Sequence, residues 1–448
     1  MLFNPLRRTP EHRHGIPVMP GSFPFIGHLL AFLPNPVALQ RHGSETLGPL
    51  FWVELGFGRG QEVTFIDEEA FALLKSPSVE SLHFWENLEL FFGRSIIVED
   101  GAPHRHARAI LQKPFAPQGL QRAGVSRIAR DAMVDRVRSW SGRSRVRILA
   151  ETQEATLRVI FGIIGIRAGE LSKWREQFRR YMLSALPFPY ELPGSPLWLA
   201  RRARRWIDGR LRDLIEEARR NPSAEGLLPQ LVRERDDDGV RLSEQELLDN
   251  LRLLVLAGHE TTASSLAWLA VHLASDRGAW DRLCEEARGV DEVPTTPEQL
   301  AACPFAQALF REAVRVHPPV YNDSRRLTEP ITIRGHVLPA GTHVNIPLTL
   351  LSHDPHRYPD PERFDPERWL RHEHKLTPLE TCQFGGGPHF CLGYHLAVLE
   401  GVQFAIALAK ELSAAGRRPK LRGNEVPAPV YLPLTHPPAR TMIELVEA

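Results

Sequence analysis

The sequence predicts a mainly α fold, a large helical domain with small satellite β-sheets, and three observations carry that prediction. Much of the middle of the chain, residues 201–220 for example, places apolar residues at helical spacing among good helix formers. Strand patterns are few and short. Residues 352–369 are too rich in proline for either element, and a long irregular segment in a compact domain is usually functional or held by specific contacts.

The longest predicted helix runs from about Ser243 to Ala274. Ser243 and Glu246 have the S-x-x-E spacing of a capping box. At 1.5 Å per residue, about 30 residues give a rod of roughly 45 Å, which is long enough to cross a domain. The helix over 201–220 begins with RRARR, which predicts a solvated helix face or, alternatively, contact with an acidic membrane or partner.

The strand signals fall into two regions, one near the N-terminus and one after residue 325. They cover residues 51–56, 62–67, 331–335 and 342–347. No Gly/Ser linker, charge block or internal repeat divides the chain, so we expect a single domain over 1–448.

Composition excludes several classes of protein. The chain has 448 residues, 43% hydrophobic and 24% charged, as in ordinary globular proteins. A formal net charge of +1 argues against a nucleic-acid binder that depends on phosphate neutralisation. The proline-rich N-terminal segment, residues 1–42, has no run of about 18 apolar residues, so we expect no transmembrane anchor. Four cysteines without a CxxC pair predict a reducing compartment rather than a disulfide framework.

One of these cysteines, Cys391, lies in the glycine-rich stretch FGGGPHFCLG, directly before an apolar helix. A helix N-terminus lowers the pKa of a nearby thiol, and the thiolate is the form that binds metal or attacks as a nucleophile. Taken alone, such a cysteine could equally be a buried structural thiol. The spacing is more specific, because F-x-x-G-x-[RH]-x-C-x-G is met at Phe384, Gly387, His389, Cys391 and Gly393, with Ala397 in step.

This pattern resembles the heme-binding loop of the cytochrome P450 family. The resemblance implies the cytochrome P450 fold and heme b, with the Cys391 thiolate as the axial ligand of the iron. The glycines of the loop, among them Gly387 and Gly393, and the ring of Phe384 are then expected to lie against the heme. The proline-rich start PVMPGSFPFIGH also resembles the family, so the resemblance covers nearly the whole chain.

A second motif is E-x-x-R, at Glu312 and Arg315, one turn apart on a helix stopped by two prolines. By itself it is weak, since most such pairs are surface ion pairs. In the family, an arginine of the following FDPERW segment completes a buried structural triad with this pair. Arg368 matches that position best, and Arg363 of PDPERF is the alternative.

The third motif, AGHETT, begins at Ala257, midway along the longest helix. Oxygen activation requires proton delivery into an apolar pocket, and an alcohol beside an acid meets that need. The resemblance assigns these roles to Thr261 and Glu260. It places Ala257 and Gly258 against the heme, with Gly258 opening a groove in the helix face.

The heme propionates need cationic or N–H partners. The resemblance points to four residues, with Arg326 as the alternative to Arg325. They are His104, Arg108, Arg325 and His389. His389 replaces an arginine that many members carry, and a histidine makes that contact sensitive to pH.

The substrate pocket is assigned by resemblance to segments near 80–98, 178–198, 319–324 and 429–435 and to the long helix. Apolar and aromatic side chains dominate these segments, which favours a lipophilic ligand with few polar anchors. The named wall residues are Phe84, Trp85, Leu88, Phe91, Phe92, Phe188, Tyr190, Ala257, Val320, Tyr321 and Tyr431.

Together these motifs predict a heme-thiolate monooxygenase that inserts one oxygen atom from O2 into a terpenoid, steroid or retinoid-like substrate. We expect a cytoplasmic bacterial protein that receives electrons from a separate ferredoxin or flavodoxin with its reductase. Two alternatives stay open: a peroxygenase or isomerase of the same fold that does not need O2, and a non-catalytic heme-binding sensor.

Overall fold

The structure, a computed structural model, describes residues 12–56, 61–81, 89–185, 190–371, 375–423 and 425–448. Helices dominate these residues and are numbered in chain order. They are α1 Leu29–Phe32, α2 Pro36–Leu47, α3 Glu68–Leu73, α4 Glu89–Phe92, α5 Gly101–Phe115, α6 Pro117–Arg122, α7 Val125–Arg138, α8 Ile148–Ile164, α9 Leu171–Tyr181, α10 Pro196–Arg220, α11 Leu227–Leu231, α12 Glu244–Ser275, α13 Arg277–Arg288, α14 Pro297–Ala301, α15 Pro304–Val316, α16 Leu348–Ser352, α17 Glu367–Leu370 and α18 Tyr394–Ala414.

The strands form small sheets beside the helices. They are β1 His12–Arg13, β2 Ile16–Pro17, β3 Leu50–Glu54, β4 Gln61–Phe65, β5 Val79–Ser81, β6 Arg145–Arg147, β7 Asp323–Leu327, β8 Ile331–Ile333, β9 His336–Leu338, β10 His343–Ile346, β11 Arg417–Leu421 and β12 Met442–Glu447. One sheet has the order β3-β4-β10-β7-β5, in which β4 and β10 are parallel; another has the order β11-β12-β6, and β1-β2 and β8-β9 are antiparallel pairs. The mainly α prediction is confirmed.

The predicted long helix corresponds to α12. Its N-terminus carries the capping box: Ser243 Oγ accepts from Glu246 N at 3.3 Å, and Glu246 Oε2 accepts from Ser243 N at 2.8 Å. The predicted helix over 201–220 starts earlier, at Pro196, because Ser195 caps it by accepting from Trp198 N at 3.3 Å.

The four predicted strands match β3, β4, β8 and β10. The sequence pattern did not reveal β7, whose residues DSRRL lack an apolar alternation. This strand nevertheless lies between β10 and β5 in the five-stranded sheet. Burial alternates along β7 although residue type does not, because Arg325 is buried and the adjacent Arg326 is partly exposed.

Helix α12 runs through the main hydrophobic core and packs against α8, α15 and α18. Within the residues that the structure describes, one stretch, Gly387–Ala414, has the length and apolar composition of a membrane-spanning helix. Its most apolar window is 61% buried inside the fold, so this stretch belongs to the protein core. Helix α18 thereby ties one end of the cysteine loop to the main hydrophobic core.

Candidate active site

The cysteine loop is a tight turn in front of α18. Gly385 and Gly387 adopt φ values of +74° and +61°, which favour glycine. Cys391 N donates to Phe384 O at 2.8 Å, closing the loop. Burial raises the pKa of the Cys391 thiol, whereas a hydrogen bond from the Gly393 backbone and the charge of Arg108 act to lower it. The protein therefore offers partial stabilisation to a thiolate at this position.

The loop glycines have partners that the sequence did not predict. A Cβ on Gly387 would lie 2.1 Å from Leu74 O, and one on Gly386 would lie 2.8 Å from the Phe71 ring. These two glycines therefore let the loop pack against the α3 region, and the contact of Gly387 with the heme stays a prediction. Gly393 differs, because its Cβ would lie 3.9 Å from Cys391 Sγ, in ordinary contact with the sulfur.

Aromatic rings surround the cysteine. Phe384 meets Tyr394 edge to face with ring centroids 4.9 Å apart, and Phe390 lies 5.4 Å from Tyr394. The Phe390 carbonyl accepts from Arg108 Nη1 at 2.7 Å, which ties α5 to the loop. Phe384, predicted from the motif, thus lies directly beside the turn that carries Cys391.

Two histidines come together next to this arginine. The rings of His104 and His389 have centroids 4.2 Å apart, and His389 Nε2 pairs with Asp100 Oδ1 at 2.9 Å. His104 is buried, and its Nε2 has no hydrogen-bond partner within the described part of the chain. Burial lowers the pKa of His104 to about 4, with further lowering from the charges of His389 and Arg108.

The two arginines of β7 point to different environments. Arg325 is buried and pairs with Asp323, whose Oδ2 would lie 3.8 Å from a Cβ on Gly385 in the cysteine loop. Arg326 instead pairs with Glu80 of β5. Of the two, only Arg325 is thereby linked to the loop.

Glu312 and Arg315 are both fully buried on α15. Arg315 binds Glu312 through Nε and Nη2, at 2.9 Å each, and Arg368 Nε donates to Glu312 Oε1 at 2.9 Å. Arg363, the alternative partner, contributes its carbonyl oxygen, which accepts from Arg315 Nη2 at 3.2 Å. Trp369 Nε1 adds a further donor to Glu312 Oε2 at 2.8 Å. The irregular segment is therefore organised around this carboxylate.

Between its exposed ends, helix α12 has an accessible stretch near its middle. Residues 256–261 are partly or fully exposed, whereas most of the helix on either side is buried. Ala257 is the exposed residue, and Thr261 Oγ1 donates back to its carbonyl at 2.6 Å. A Cβ on Gly258 would lie 2.6 Å from Ile160 Cδ1, so Gly258 permits close packing on α8. This contact gives a packing reason for glycine at position 258, and its placement against the heme stays a prediction.

Glu260 is held from the side of α8. Its Oε2 accepts from Gln153 Nε2 at 3.0 Å, and its Oε1 lies 3.2 Å from His259 Nδ1. Burial raises the pKa of this carboxyl, but the hydrogen bonds from His259 and Gln153 and the charge of His259 outweigh it, so the net pKa is lowered. Sequence reasoning did not find Gln153 or Asp100, because neither residue lies in a recognisable motif.

The structure describes only some of the residues that were predicted to line the substrate pocket. Val320 is 39% exposed, and Tyr321 meets Tyr431 edge to face at 6.3 Å. Phe91 is instead a core residue, stacked on Tyr181 at 5.2 Å. Four further predicted wall residues lie outside the described residues. They are Phe84, Trp85, Leu88 and Phe188.

These residues fit the heme that the resemblance implies. Cys391 offers a sulfur ligand at the start of a helix, and the buried Nε2 of His104 offers a nitrogen that lacks a partner within the described chain. Arg108 and Arg325 supply cations close to the same loop. A ferric porphyrin with two carboxylates requires one soft ligand and several cationic or N–H groups, and both are present here.

Comparisons with known proteins identify the family. The family model described as cytochrome P450 matches residues 17–413. The chain is 41% identical over 437 residues to cytochrome P450 BJ-4 of Bradyrhizobium diazoefficiens, covering 98% of both chains. It is 28% identical to a cyclooctat-9-en-7-ol 5-monooxygenase of Streptomyces melanosporofaciens, covering 89% of this chain and 90% of the relative.

A solved structure shows the same architecture. The retinoic acid-bound cyanobacterial CYP120A1 superposes with a TM-score of 0.83 at 25% identity, covering 95% of this chain and 98% of the other. Taken with the cysteine loop and the family match, this means that the chain belongs to the cytochrome P450 family and is a heme-dependent monooxygenase.

Proposed function

We propose that this P450 oxidises a lipophilic substrate of the terpenoid, steroid or retinoid type, in the cytoplasm, with electrons from a ferredoxin or flavodoxin and its reductase. The observation that carries this proposal is the accessible middle of α12. Ala257 is exposed there although the residues before and after this stretch are mostly buried, and Val320, a predicted wall residue, is also exposed. Two relatives point the same way, since one is named for cyclooctat-9-en-7-ol and the other was solved with retinoic acid.

Each site residue has a proposed role in this reaction. Heme bound through the Cys391 thiolate supplies the activation of dioxygen and the oxygen transfer. Arg108, Arg325, His104 and His389 would hold the propionates, and Asp100 would keep the His389 ring beside that of His104.

Thr261 is proposed as the last proton carrier. Its hydroxyl hydrogen is directed to Ala257 O, so its oxygen lone pairs are left to accept a hydrogen bond from water or from an acid. Glu260, the next residue along the helix, is the acid proposed to supply protons. The presence of both groups favours the dioxygen-dependent reaction over a peroxide-dependent one.

Spectral titration of the heme-loaded protein tests the substrate class. We expect retinoic acid, a steroid and a cyclic terpenoid alcohol to displace the water ligand and shift the Soret band, each binding at least about tenfold more tightly than lauric acid. Turnover with NADPH, ferredoxin and ferredoxin reductase should then give a singly oxygenated product. Heme binding without any product across the panel would favour a sensor, and product formation with hydrogen peroxide alone would favour a peroxygenase.

The Thr261→Ala variant tests the proton role. We expect it to consume NADPH while releasing hydrogen peroxide in place of product, because the alcohol that relays protons is gone. Thr262→Val, at the neighbouring buried threonine, is the matched control and should leave the coupling unchanged. A Thr261→Ala variant that is fully coupled would contradict the role.

A further inference from the structure

His259, the residue of AGHETT that has no assigned role, has both ring nitrogens engaged. Nε2 lies 3.0 Å from the backbone oxygen of Gln153 on α8, and Nδ1 lies 3.2 Å from Glu260 Oε1. The side-chain amide of the same Gln153 donates to the other carboxylate oxygen of Glu260 at 3.0 Å. The three residues are thus joined in a ring between α12 and α8, to which Gln153 contributes both its backbone oxygen and its side-chain amide.

This arrangement fixes a proton count. A carbonyl oxygen only accepts, so His259 Nε2 must carry a hydrogen to bond with Gln153 O. A neutral imidazole has one N–H, and it is already used there. A hydrogen bond between Nδ1 and Glu260 Oε1 therefore requires one more proton, which lies either on the imidazole or on the carboxyl. With that hydrogen bond formed, the His259–Glu260 pair would hold one exchangeable proton.

Helix α8 holds the pair in place from several points. Thr156 Oγ1 donates to the His259 carbonyl at 3.2 Å. Gly258 brings the two helices together at Ile160, which allows Gln153 to reach across. Solvent also reaches the pair, because the Glu260 side chain is 42% exposed while that of His259 is 16% exposed.

We propose that His259 and Glu260 form a proton-storing pair, with Gln153 as its positioning residue, and that this pair supplies the proton passed on by Thr261. The inference rests on the proposed role of Thr261. In one cycle a proton leaves the Nδ1–Oε1 bond through water to Thr261 Oγ1, leaving a neutral imidazole and a carboxylate. Solvent then returns a proton to Glu260 at its exposed edge, so the balance is restored without another reactant.

The other charged groups near His259 and Glu260 do not take over the proposed proton-storing role. His436, from the segment after α18, lowers the pKa of Glu260 through its charge. On α8, Glu154 is occupied by Arg158 at 3.0 Å and by Arg175. The carboxylate of Glu151 on the same helix is bound by Arg143 at 2.8 Å and by Arg136. Glu154 therefore offers a control carboxylate on the same helix with different partners.

Infrared difference titration of the oxidised holoenzyme, labelled with 13C-glutamate, tests the pair without turnover. The Glu260→Gln variant identifies the Glu260 carboxylate band. We expect His259→Asn and Gln153→Leu to shift the protonation midpoint of that band to higher pH, because burial then acts on Glu260 with fewer opposing hydrogen bonds. Glu154→Gln should leave the midpoint unchanged. An unchanged midpoint in His259→Asn would overturn the proposal.

Coupling measurements give the second readout. With NADPH, ferredoxin and its reductase, we expect His259→Asn and Gln153→Leu to lower product per electron by about tenfold and to enlarge the solvent deuterium isotope effect. Glu154→Gln should match the wild type. If Thr261→Ala stays coupled, the proposed function fails; if Thr261→Ala uncouples but His259→Asn does not, only the proton-storing pair is refuted.

Discussion

Two helices of this protein each bury an arginine completely, and the surroundings of the two side chains differ. Arg315 of α15 forms a bidentate pair with Glu312 at 2.9 Å, and three backbone carbonyls, those of Ser352, Pro361 and Arg363, accept from its remaining N–H groups at 2.8 to 3.2 Å. This guanidinium is fully satisfied by one carboxylate from its own helix and three carbonyls that are distant in sequence.

Arg252 of α12 is as deeply buried but less completely bonded. It pairs with Asp208 of α10 and with Asp249, one turn earlier on its own helix. Its Nε has no partner within the described residues. Asp249 also accepts from Arg94 N at 2.9 Å. This cluster therefore links α10, α12 and the segment after α4, all close to the predicted pocket walls.

The difference shows that the two arginine clusters have different structural roles. The Arg315 cluster immobilises an irregular segment, because its carbonyls have no helix or sheet to bind them. The Arg252 cluster instead joins helices, whose backbone groups already form hydrogen bonds within each helix. Loss of the first should affect the whole fold, whereas loss of the second should affect how the elements lie against one another.

Glu312→Ala is expected to have the largest effect. It leaves the buried charge of Arg315 without its carboxylate and removes the acceptor of Arg368 as well. We expect the free energy of unfolding to fall by about 3 to 5 kcal/mol, measured by urea denaturation, with loss of bound heme. Glu367→Ala, at an exposed ion pair with Arg282, should cost at most about 1 kcal/mol. A Glu312→Ala protein as stable as that control would refute the scaffold role.

The same substitution in both clusters compares them directly. Arg315→Met should cost about 3 to 5 kcal/mol, because Glu312 loses a bidentate partner and three carbonyls lose donors. Arg252→Met should cost about 1 to 3 kcal/mol, since Asp249 keeps the Arg94 N–H and Asp208 is partly accessible. Urea unfolding of both variants measures the difference, and equal losses would remove the distinction between the clusters.

The Arg315 cluster was predictable from sequence and the Arg252 cluster was not. Glu312 and Arg315 are one helical turn apart and precede a recognisable FDPERW segment, so a family resemblance could name Arg368. Arg252 lies in the apolar run LRLLVL, and its partner Asp208 is 44 residues away on another helix. Burial of a charge in such a run depends on tertiary packing, which local periodicity does not record.

The candidate site shows the same limit. The sequence identified Cys391, Thr261 and Glu260 as chemically important because their residue types and spacing are rare. It did not reveal the protein neighbours of Gly258 and Gly387, since a glycine shows that some atom comes close without showing which one. Ile160 and Leu74 supply those atoms from other parts of the chain.

Acid should destabilise the protein through the histidines beside Arg315. His272 Nε2 and His317 Nε2 are 3.0 Å apart, and burial, then the Arg315 charge, lowers the pKa of His272 to about 3. Burial, followed by the charges of neighbouring histidines and Arg315, lowers the pKa of His317 well below its usual value. Below about pH 6.5 the unfolded chain binds protons that the native state does not, so stability falls as pH falls.

The expected slope from each histidine is about 1.4 kcal/mol per pH unit between about pH 6 and 4. Urea unfolding across this range measures it. His272→Gln should remove the contribution of one histidine, about 1.4 kcal/mol per pH unit, from the slope. Arg252→Met should leave the slope unchanged, because neither His272 nor His317 borders the Arg252 cluster. A slope that responds to Arg252→Met but not to His272→Gln would reverse the assignment.

The smallest global effect is expected from Asp208→Asn. This residue is 15% exposed and is the contribution of α10 to the Arg252 cluster, while Asp249 stays bound to the arginine. We expect a loss of about 0.5 to 1.5 kcal/mol in unfolding free energy. Hydrogen exchange should accelerate in α10 and in the segment after α4 but not in α15.

Arg368→Gln is the matched control and should give the opposite pattern, with faster exchange confined to the region of α17. Faster exchange in α15 for Asp208→Asn would mean that the two clusters are coupled through α12, and the separation of their roles would not hold.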